Sequence, residues 1–588
     1  NQITKIENLE NLTQLSILHL NDNQITSLES LLPFIKKDYD INLDRTYIGK
    51  EISIGGNPIE IPPLEIVSEG NEAILNYFEK LEEQGKAELY EAKLLIVGEG
   101  RVGKTTLARK LINTQAKMPK EKETTKGIDI QQKAFNTPTD KDFTINIWDF
   151  GGQEIYKSTH QFFLTKRSLY ILVDDTAKNE SKLNDPSFSY WLQTVELFGD
   201  GSPLLLVQNE KADRSKDIDF GAMQLEFGFL KEKFRANLLT NRGLKEIWED
   251  IKFRIQQLDH VGQALPAKWV DIRMTLDTLA IDQPYISLEK YFDICIKDHQ
   301  LNNEEDALDL SQYLHDLGVF LHFQEDGTLY QTIILQNEWA TNAVYKVLDD
   351  EIVKSNKGRF SKKESKRIWN ESKYKRKFNE LLALMLRFEL CYQLPEPNTY
   401  LVPELLPASQ PKGFEWDESN NLEVRYQYKF MPRGLLSRLI VRLHEYVEDP
   451  DQAWITGVVL ERKHVKALVT EKLNALSIKI RGHNNKEFLI IILEAIDKLN
   501  STFQKINVKK LIPCNCSSCK KLGSDHKNFF EHSRLEERLK FNKLTIECQN
   551  PPYKDVEVLP LLEDVSSDSY QAFTRKYLKD KPIDKSKK

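Results

Sequence analysis

The chain has 588 residues, of which 40% are hydrophobic and 29% are charged, and its formal net charge is −7. This length predicts several domains, and the composition is that of a globular protein. The weak negative charge excludes a general attraction to nucleic acid or to an anionic membrane. The apolar runs fall short of the roughly 20 residues that a membrane span needs, and six cysteines do not make a disulfide framework. A cytoplasmic protein without a membrane span is therefore expected.

Residues 1–62 are predicted to form the C-terminal part of a leucine-rich repeat solenoid. One unit fits the spacing L-x-x-L-x-L-x-x-N-x-I-x-x-L at Leu15, Leu18, Leu20, Asn23, Ile25 and Leu28. Residues 1–6 fit the end of an earlier unit, and Asn57 with Ile59 fits the close of a later one. Because each unit buries its apolar face only against its neighbours, we expect the array to begin before Asn1. Residues 63–90 follow as a helical linker, with apolar residues at helical spacing.

Residues 91–258 alternate near-continuous apolar strands with amphipathic helices, which predicts an α/β domain whose central sheet is covered on both faces. Its first strand leads into GEGRVGKTT, which fits G-x-x-x-x-G-K-[ST] between a strand and a helix. The predicted nucleotide-binding residues of this loop are Gly98, Gly100, Arg101, Val102, Gly103, Lys104, Thr105 and Thr106. In such a loop the backbone N–H groups cradle a polyphosphate, the lysine offsets phosphate charge, and the threonine after the lysine binds Mg²⁺.

A second strand ends in WDFGGQE, a segment that predicts a magnesium and phosphate sensor. Asp149 is predicted to bind Mg²⁺ directly or through water, Gly152 to present its N–H to a γ-phosphate, and Gln153 to orient the attacking water. Between the two motifs, Thr125 stands two residues before Gly127 and fits a threonine that closes over Mg²⁺ in the triphosphate state. The predicted catalytic residues are Gln153, Lys104 and Thr125, and the predicted magnesium ligands are Thr105, Thr125 and Asp149.

The base-recognition loop departs from the expected N-K-x-D. After the strand PLLLVQN, the chain continues from Asn209 through Glu210, Lys211 and Ala212 to Asp213. Lys211 and Asp213 fit K-x-D, but Glu210 stands where asparagine is expected and Asn209 is one place early. A loop shifted by one residue would repair the pattern, with Asn209, Lys211 and Asp213 as nucleotide-binding residues. Guanine is the favoured base, and loose nucleotide choice stays the alternative.

The predicted secondary structure changes in the remaining chain. Residues 259–413 are predicted to be mostly helical with a small β wing, and residues 414–565 to be α+β. Residues 566–588 are polar and are predicted to form a flexible tail. The basic segment 354–377 has no regularly interleaved aromatic residues, so a solvated surface or a contact with an acidic partner is favoured over nucleic-acid binding.

The order of these features resembles the Roco family. Leucine-rich repeats, a helical linker, the phosphate loop, WDFGGQE, HQFFLT and ALPAKWVDIR follow one another as they do in that family. The resemblance implies a multidomain chain with a Ras-like Roc GTPase domain at 91–258, a winged-helix-like COR-A at 259–413 and COR-B at 414–565. It also implies a homodimer formed through COR, whose assembly depends on the bound nucleotide. The kinase motifs V-A-I-K, H-R-D and D-F-G do not occur in order.

Four late cysteines form a candidate structural zinc site. Cys514, Cys516 and Cys519 lie in a short polar segment, and Cys548 follows at a distance. Thiolates are the preferred ligands of structural Zn²⁺, and four of them leave no open position for catalysis. The alternative is a loop with reduced thiols.

The sequence thus predicts a Mg²⁺-dependent GTPase of slow turnover, which acts as a switch with GTP as substrate and GDP as product. Two alternatives use the same phosphate loop. One is a signalling ATPase, because the base-recognition motif is altered. The other is a signalling scaffold that binds nucleotide with relaxed base specificity or without significant turnover.

Overall fold

The computed structural model describes residues 2–6, 15–43, 50–119, 125, 127–151, 164, 166–176, 186–211, 214, 217–418, 421–447, 449–482, 485–503, 505–523, 526–563 and 565. The chain divides into two compact units. The N-terminal unit comprises residues 1–156, 160–345 and 376–384, and the C-terminal unit comprises residues 157–159, 346–375 and 385–588. The predicted tail, 566–588, lies outside the described residues.

The N-terminal unit begins with a small parallel sheet of β1 (Ile17–His19), β2 (Asp40–Asn42) and β3 (Glu51–Ser53). β3 lies between β1 and β2, so the strands do not follow one another in chain order. A 3₁₀ turn, Glu29–Leu31, and a short helix, Leu32–Ile35, connect β1 to β2.

Asparagine side chains hold the turns beside this sheet. Asn23 Nδ2 donates to the carbonyl oxygen of Leu20 at 2.8 Å, and Asn57 Nδ2 donates to the same oxygen at 2.8 Å. Asn57 also donates to the Ile54 carbonyl at 2.7 Å and accepts from the Ile25 N–H at 3.1 Å. Each asparagine therefore satisfies backbone groups that the turns leave without a partner.

The linker is built of two helices, Leu64–Ser68 and Asn71–Gln84, and ends in β4 (Lys86–Glu88). The longer helix presents Lys80 to the Asp306 carboxylate, and this buried ion pair spans 3.0 Å. Because a buried charge is tolerated only with a partner, the pair ties the linker to the helical part of the same unit.

A six-stranded sheet forms the centre of the N-terminal unit. Its strands are β5 (Glu91–Val97), β6 (Ile128–Asn136), β7 (Asp142–Phe150), β8 (Leu169–Asp175), β9 (Leu204–Asn209) and β10 (Leu230–Ala236). Their spatial order is β10-β9-β8-β5-β7-β6, and every neighbouring pair is parallel except β6 with β7. The four predicted apolar strands are thus found, as expected for strands buried on both faces.

Helices cover this sheet, and they are Lys104–Ile112, Pro186–Phe198, Phe220–Glu226 and Leu244–Ile255. On one face, Leu94 and Ile96 of β5 and Ile147 of β7 pack in one apolar core with Leu107 and Ile251 of two of these helices. Since successive side chains of a strand point to opposite faces, Lys93 and Leu95 of β5 point to the other face.

The last part of the N-terminal unit is mostly helical. β11 (Ala264–Pro266) pairs antiparallel with β4, and β12 (Tyr285–Ser287) pairs antiparallel with β13 (Thr332–Ile334), from which it is separated in the chain by helices. The helices are Ala267–Ala280, Leu288–Phe292 with its π-helical continuation Asp293–Asp298, Glu304–Asp316 and Asn337–Leu348. All of these helices except Asn337–Leu348 share one apolar core with the linker helix Asn71–Gln84.

The elements that follow the helix Asn337–Leu348 in the chain are short. The helices are Glu351–Ser355, Lys362–Ile368 and Phe378–Arg387, and a small antiparallel sheet contains β14 (Arg359–Ser361), β15 (Tyr392–Gln393) and β16 (Thr399–Leu401). In the basic segment, Arg367 pairs with Asp350 at 2.7 Å and Lys357 pairs with Asp451 at 3.2 Å. Such half-exposed pairs contribute little stability.

The C-terminal unit is built on a seven-stranded antiparallel sheet. Its strands are β17 (Leu422–Tyr428), β18 (Ala453–Trp454), β19 (Gly457–Arg462), β20 (Val465–Lys472), β21 (Ala475–Arg481), β22 (Val508–Pro513) and β23 (Phe529–Glu531), in the order β18-β19-β20-β21-β17-β22-β23. A separate hairpin contains β24 (Thr545–Glu547) and β25 (Asp555–Glu557).

The helices of this unit are Leu435–Arg442, Asn485–Asn500, His532–Lys540 and Val558–Glu563, with 3₁₀ turns at Pro403–Leu405, His444–Tyr446, Pro450–Gln452 and Cys519–Lys521. Within the described part of the chain, no helix combines the length and the apolar character that a membrane crossing requires.

Candidate functional site

The phosphate-loop motif follows the end of β5, and its backbone needs glycine at two positions. Gly98 has φ +138°, and a Cβ there would lie 2.5 Å from the Val173 carbonyl oxygen. Gly103 has φ +114°, and a Cβ there would lie 2.6 Å from Asn209 Nδ2. Because neither position has room for a side chain, the two glycines let the loop pack closely on β8 and β9.

Lys104 begins the helix Lys104–Ile112, and its side chain turns back over the loop. The Nζ atom donates to the carbonyl oxygens of Gly98 at 2.9 Å and Glu99 at 2.7 Å. The side chain is buried, so its charge is held close to the loop backbone and to the N-terminus of the helix. Such a terminus carries partial positive charge, which suits an anion.

The other predicted residues of the loop lie along the same turn. Arg101 is exposed and has φ +66°, whereas Val102 and Thr106 are buried. Gly100, which precedes Arg101, is half-buried.

The Asp149 carboxylate brings three predicted residues together. Its Oδ2 atom accepts hydrogen bonds from Thr105 Oγ1 at 2.6 Å and from Thr125 Oγ1 at 2.8 Å. The two hydroxyl oxygens lie 2.6 Å apart. One oxygen atom therefore joins three parts of the chain: the end of β7, the start of the helix Lys104–Ile112 and the segment before β6.

Asp149 is only 1% exposed, and burial raises the pKa of its carboxyl group. The hydrogen bonds from Thr105 and Thr125 and the charge of Lys104 oppose that rise. Its Oδ1 atom is buried without a hydrogen-bond partner among the described residues. A buried oxygen without a partner is costly, and a carboxylate with two hydroxyls is an oxygen ligand set that suits Mg²⁺. These residues fit a magnesium ion.

Gly127 lies where the segment of Thr125 enters β6, and it is closely packed. Its carbonyl accepts from the Gly151 N–H at 2.7 Å, which joins this segment to the end of β7. Gly127 has φ +80°, and a Cβ there would lie 2.4 Å from the Tyr345 ring and 2.7 Å from Asn342 Oδ1. The helix Asn337–Leu348 thus packs directly on the residue that follows Thr125 by two places.

Three predicted site residues, Gly152, Gln153 and Asp213, lie outside the described residues. Their proposed roles rest on the sequence alone.

Asn209 and Lys211 both reach the phosphate loop. Asn209 Nδ2 donates to the Val102 carbonyl at 2.9 Å, and its Oδ1 accepts from the Leu238 N–H at 3.5 Å. The Lys211 ammonium donates to the Arg101 carbonyl and to Asp175 Oδ2, the latter at 2.9 Å. The two side chains hold successive residues of the loop in spite of the altered spacing between them.

Glu210 points away from this arrangement. Its carboxylate pairs with the Arg242 guanidinium, and its backbone N–H donates to the Ala236 carbonyl at 2.7 Å. The N–H bond continues the ladder between β9 and β10 by one residue, and the Glu210 side chain is turned to Arg242 and away from the phosphate loop.

A neighbouring turn closes the same side of the site. Asn237 Oδ1 accepts from the N–H groups of Leu239 at 3.0 Å and Thr240 at 3.2 Å. Leu238 is buried between this turn and Asn209. These bonds order the turn that precedes Arg242, the ion-pair partner of Glu210.

The C-terminal unit brings the four late cysteines together. All six cysteines are described, and all are free thiols. The Sγ atoms of Cys514, Cys516, Cys519 and Cys548 lie within 4.8 Å of one another, and the four residues are buried. The Sγ of Cys548 is 3.5 Å from that of Cys519 and 4.0 Å from that of Cys516.

These distances fit a tetrahedral zinc site. For a Zn–S bond of about 2.3 Å, neighbouring sulfurs of a tetrahedron are about 3.8 Å apart. Backbone N–H groups also point at the sulfurs: the N–H of Cys519 donates to Cys516 Sγ at 3.3 Å and that of Asn550 to Cys548 Sγ at 3.4 Å. Such donors stabilise thiolates, and the donor set is the one that structural zinc prefers.

Sequence reasoning missed two residues of the site. Asp175, which accepts from Lys211, ends the apolar strand β8 as Asp149 ends β7, and that pattern could have indicated it. Arg242, the partner of Glu210, had no local signal, because it lies 32 residues further along the chain.

Family models match three successive parts of the chain. Residues 93–213 match "Ras of Complex, Roc, domain of DAPkinase", residues 266–406 match "C-terminal of Roc, COR-A domain", and residues 419–564 match "C-terminal of Roc, COR-B domain". The first match contains the phosphate loop and Asp149, and the third contains the four clustered cysteines.

The chain is also similar to curated proteins. It is 31% identical over 432 residues to a Roc-COR-CHAT protease of Runella zeae, which covers 68% of this chain and 44% of that protein. It is 27% identical over 554 residues to the probable serine/threonine-protein kinase pats1 of Dictyostelium discoideum, which covers 84% of this chain and 16% of that protein. The chain thus spans less than half the length of these relatives.

Among solved structures, the chain is similar to Methanosarcina barkeri Roco2 RocCORdC bound to GDP. The identity is 33%, the TM-score is 0.47, and the match covers 55% of this chain and 98% of that one.

The three family matches occur in the order that the sequence predicts, and the first of them contains a phosphate loop, an acidic strand end and two hydroxyl side chains that meet at one carboxylate. The chain belongs to the Roco family, with a Roc GTPase domain followed by COR-A and COR-B domains.

Proposed function

We propose that this chain is a nucleotide switch that binds GTP and GDP with Mg²⁺ and hydrolyses GTP slowly. One observation carries the proposal: Thr105 and Thr125 meet at Asp149 Oδ2, beside a buried Oδ1 that has no hydrogen-bond partner among the described residues. A carboxylate with two hydroxyls beneath a phosphate loop fits a site for a nucleotide with its metal ion.

The residues of the loop have separate roles in this proposal. The backbone N–H groups from Gly98 to Thr106 cradle the phosphates, and Lys104 offsets negative charge on them. Mg²⁺ held by Thr105, Thr125 and Asp149 supplies positive charge beside the terminal phosphates. In the triphosphate state the Thr125 hydroxyl closes over Mg²⁺, so the order of its segment depends on the nucleotide state.

The WDFGGQE segment is proposed to complete catalysis. Gly152 presents its N–H to the terminal phosphate, and Gln153 places the attacking water. The alternative, a signalling scaffold that holds nucleotide without turnover, shares the loop and Asp149 but does not use Gln153. Turnover therefore distinguishes the two proposals.

Guanine is the proposed base. Asn209 and Lys211 bind carbonyl oxygens of adjacent phosphate-loop residues, and Glu210 is turned to Arg242, which supports a motif shifted by one residue. Asp213 follows Lys211 at the spacing of K-x-D. In this arrangement the Lys211 stem lies along the base, and Asp213 accepts from guanine N1 and N2. Relaxed base specificity is the alternative.

Nucleotide state is proposed to control assembly. A homodimer formed through COR would respond to the phosphate because COR-A packs directly on Gly127, two residues after Thr125. The first 62 residues are proposed to be the end of a leucine-rich repeat array, and the asparagine bonds of Asn23 and Asn57 support this.

The cysteine cluster is proposed to hold one structural Zn²⁺. Three ligands lie just after β22 and the fourth lies at the end of β24, so a bound ion would join the hairpin β24–β25 to the seven-stranded sheet. Thiolates persist in a reducing compartment, so a cytoplasmic location is proposed with it.

Replacement of Asp149 by asparagine should separate metal-dependent from metal-independent binding. We expect Asp149→Asn to weaken GDP binding in Mg²⁺ by about 100-fold, because the neutral amide cannot hold the ion. In EDTA the variant and the natural protein should bind GDP alike. Asp142→Asn, at the exposed start of the same strand, is the control. Fluorescent GDP titration measures both, and equal loss with and without Mg²⁺ would contradict the role of Asp149.

Deletion of Glu210 tests the repaired base-recognition loop. The deletion restores N-K-x-D, so we expect the preference for GDP over ADP to be kept within about 3-fold, whereas Lys211→Ala should weaken GDP binding by about 10-fold or more. Competition between labelled GDP and unlabelled ADP measures the preference. If deletion of Glu210 is as damaging as Lys211→Ala, the motif is not shifted by one residue.

Gln153→Ala should prolong the GTP-bound state. When GTP is added, the mass of the natural protein, measured by light scattering, should change and then return to its starting value as GTP is consumed. The mass of the Gln153→Ala protein should stay changed for about 10 times longer. Phosphate release is measured in parallel. Unchanged turnover would remove Gln153 from catalysis, and a constant mass in both proteins would remove the link between nucleotide and assembly.

Elemental analysis should find one zinc per chain. Cys548→Ser is expected to lose the zinc and to lower the unfolding temperature of the C-terminal unit by about 10 °C, since metal binding contributes directly to folding. Cys391→Ser alters a buried thiol outside the cluster and should keep the zinc. Natural protein prepared with ample zinc that still contains none would end the proposal.

A further inference from the structure

Glu99 is the acidic residue of the phosphate-loop motif GEGRVGKTT, where it stands between Gly98 and Gly100. Its side chain is half-buried. A carboxylate is an unexpected choice in a loop that is proposed to hold a polyphosphate, because like charges repel. The place at which this carboxylate is held therefore affects how well the loop can bind phosphate.

Trp191 binds the Glu99 carboxylate from another element. It lies on the helix Pro186–Phe198, and its Nε1 atom donates to Glu99 Oε1 at 3.3 Å. The tryptophan is 2% exposed, and a buried indole N–H usually finds an acceptor. Because the acceptor carries a charge, the bond is stronger than one between two neutral groups. The bond joins this helix to the loop that follows β5.

The backbone of Glu99 in turn orients the lysine of the motif. Lys104 Nζ donates to the Glu99 carbonyl at 2.7 Å and to the Gly98 carbonyl at 2.9 Å. A side chain that is held at its end restricts the backbone that carries it, so the bond from Trp191 limits the directions in which the Glu99 carbonyl can point. The contacts thus run from Trp191 through Glu99 to the Lys104 ammonium.

The surroundings of Trp191 hold its ring in place. The Tyr190 ring packs edge-on against it, with ring centres 5.4 Å apart and planes at 79°. Thr194 Oγ1 donates to the Tyr190 carbonyl at 2.7 Å, and Leu192 and Val195 of the same helix are buried. A group whose own position is fixed by packing can hold a binding loop precisely. Trp191 is therefore a firm support for Glu99.

We propose that Trp191 is a positioning residue of the phosphate loop: through the Glu99 carboxylate it holds the Lys104 ammonium in the place where phosphate binds, and it thereby slows the release of bound nucleotide. This inference rests on the proposed nucleotide site and adds to it a residue that lies outside the sequence motifs. Trp191 acts here through Glu99 and touches neither nucleotide nor metal. A loop that is ordered beforehand loses less freedom on binding, so GDP and GTP are both held longer.

Release of fluorescent GDP from the full chain, after addition of excess unlabelled GDP, tests the role of Trp191. Trp191→Phe keeps an aromatic ring but removes the N–H donor, and we expect release to become about 10-fold faster. The acceleration should be equal in Mg²⁺ and in EDTA, because the bond involves none of the proposed magnesium ligands. Trp248→Phe is the matched control, since Trp248 is a half-buried tryptophan of the same domain whose ring packs on Phe135. Its release rate should equal that of the natural protein.

Two substitutions of Glu99 separate the hydrogen bond from the charge. Glu99→Gln and Glu99→Met both remove the negative charge, but only glutamine keeps a side-chain oxygen that can accept from Trp191. We expect release from Glu99→Met to be about 10-fold faster than release from Glu99→Gln. Trp191→Phe should then accelerate release about 10-fold in the Glu99→Gln protein and less than about 2-fold in the Glu99→Met protein, because in the latter the shared bond is already lost.

Three results would overturn the inference. They are a natural release rate in Trp191→Phe, equal acceleration by Trp248→Phe, and a full effect of Trp191→Phe in the Glu99→Met protein, which would mean that Trp191 only packs. Failure of the natural protein to bind GDP would overturn the nucleotide site together with this inference. If GDP binds and Asp149→Asn weakens it in Mg²⁺, the nucleotide site stands, and the release rates then decide the role of Trp191 alone.

Discussion

The buried carboxylate of Asp149 is the constraint on which the rest of the Roc domain depends. A carboxyl group that is 1% exposed at the end of a central strand must be satisfied by its surroundings, and hydroxyls from two separate segments do this at Oδ2. The start of the helix Lys104–Ile112 and the segment before β6 are therefore brought to the same point. The site thus consists of elements whose side chains all bond to the buried Asp149 carboxylate.

The same strand connects the site to the COR-A domain. Ile145 and Ile147 of β7 point into the apolar core below the sheet, while Asn146 and Trp148 point to the face that COR-A covers. Since the linker helix also shares a core with COR-A, the N-terminal unit has few independent parts. A change at Asp149 is one residue away from the side chains that COR-A contacts.

Much of this arrangement could be predicted from short stretches of sequence. The apolar strands β5, β7, β8 and β9 and the loop after β5 have strong local patterns, because buried parallel strands and glycine turns depend on nearby residues. The ion pair of Glu210 was unpredictable, since its partner Arg242 belongs to another turn. Nothing in the repeat spacing predicts that β3 lies between β1 and β2.

The packing of Gly127 against Tyr345 has a consequence for how the Roc domain would communicate with COR-A. A Cβ at this glycine would overlap the ring, so the contact between Gly127 and the Tyr345 ring is one of shape. Contacts of this kind are not screened by ions, whereas interactions between exposed charges weaken as salt rises. Coupling between the Roc domain and COR-A through this contact would therefore stay constant at salt concentrations that weaken the half-exposed ion pairs of the surface.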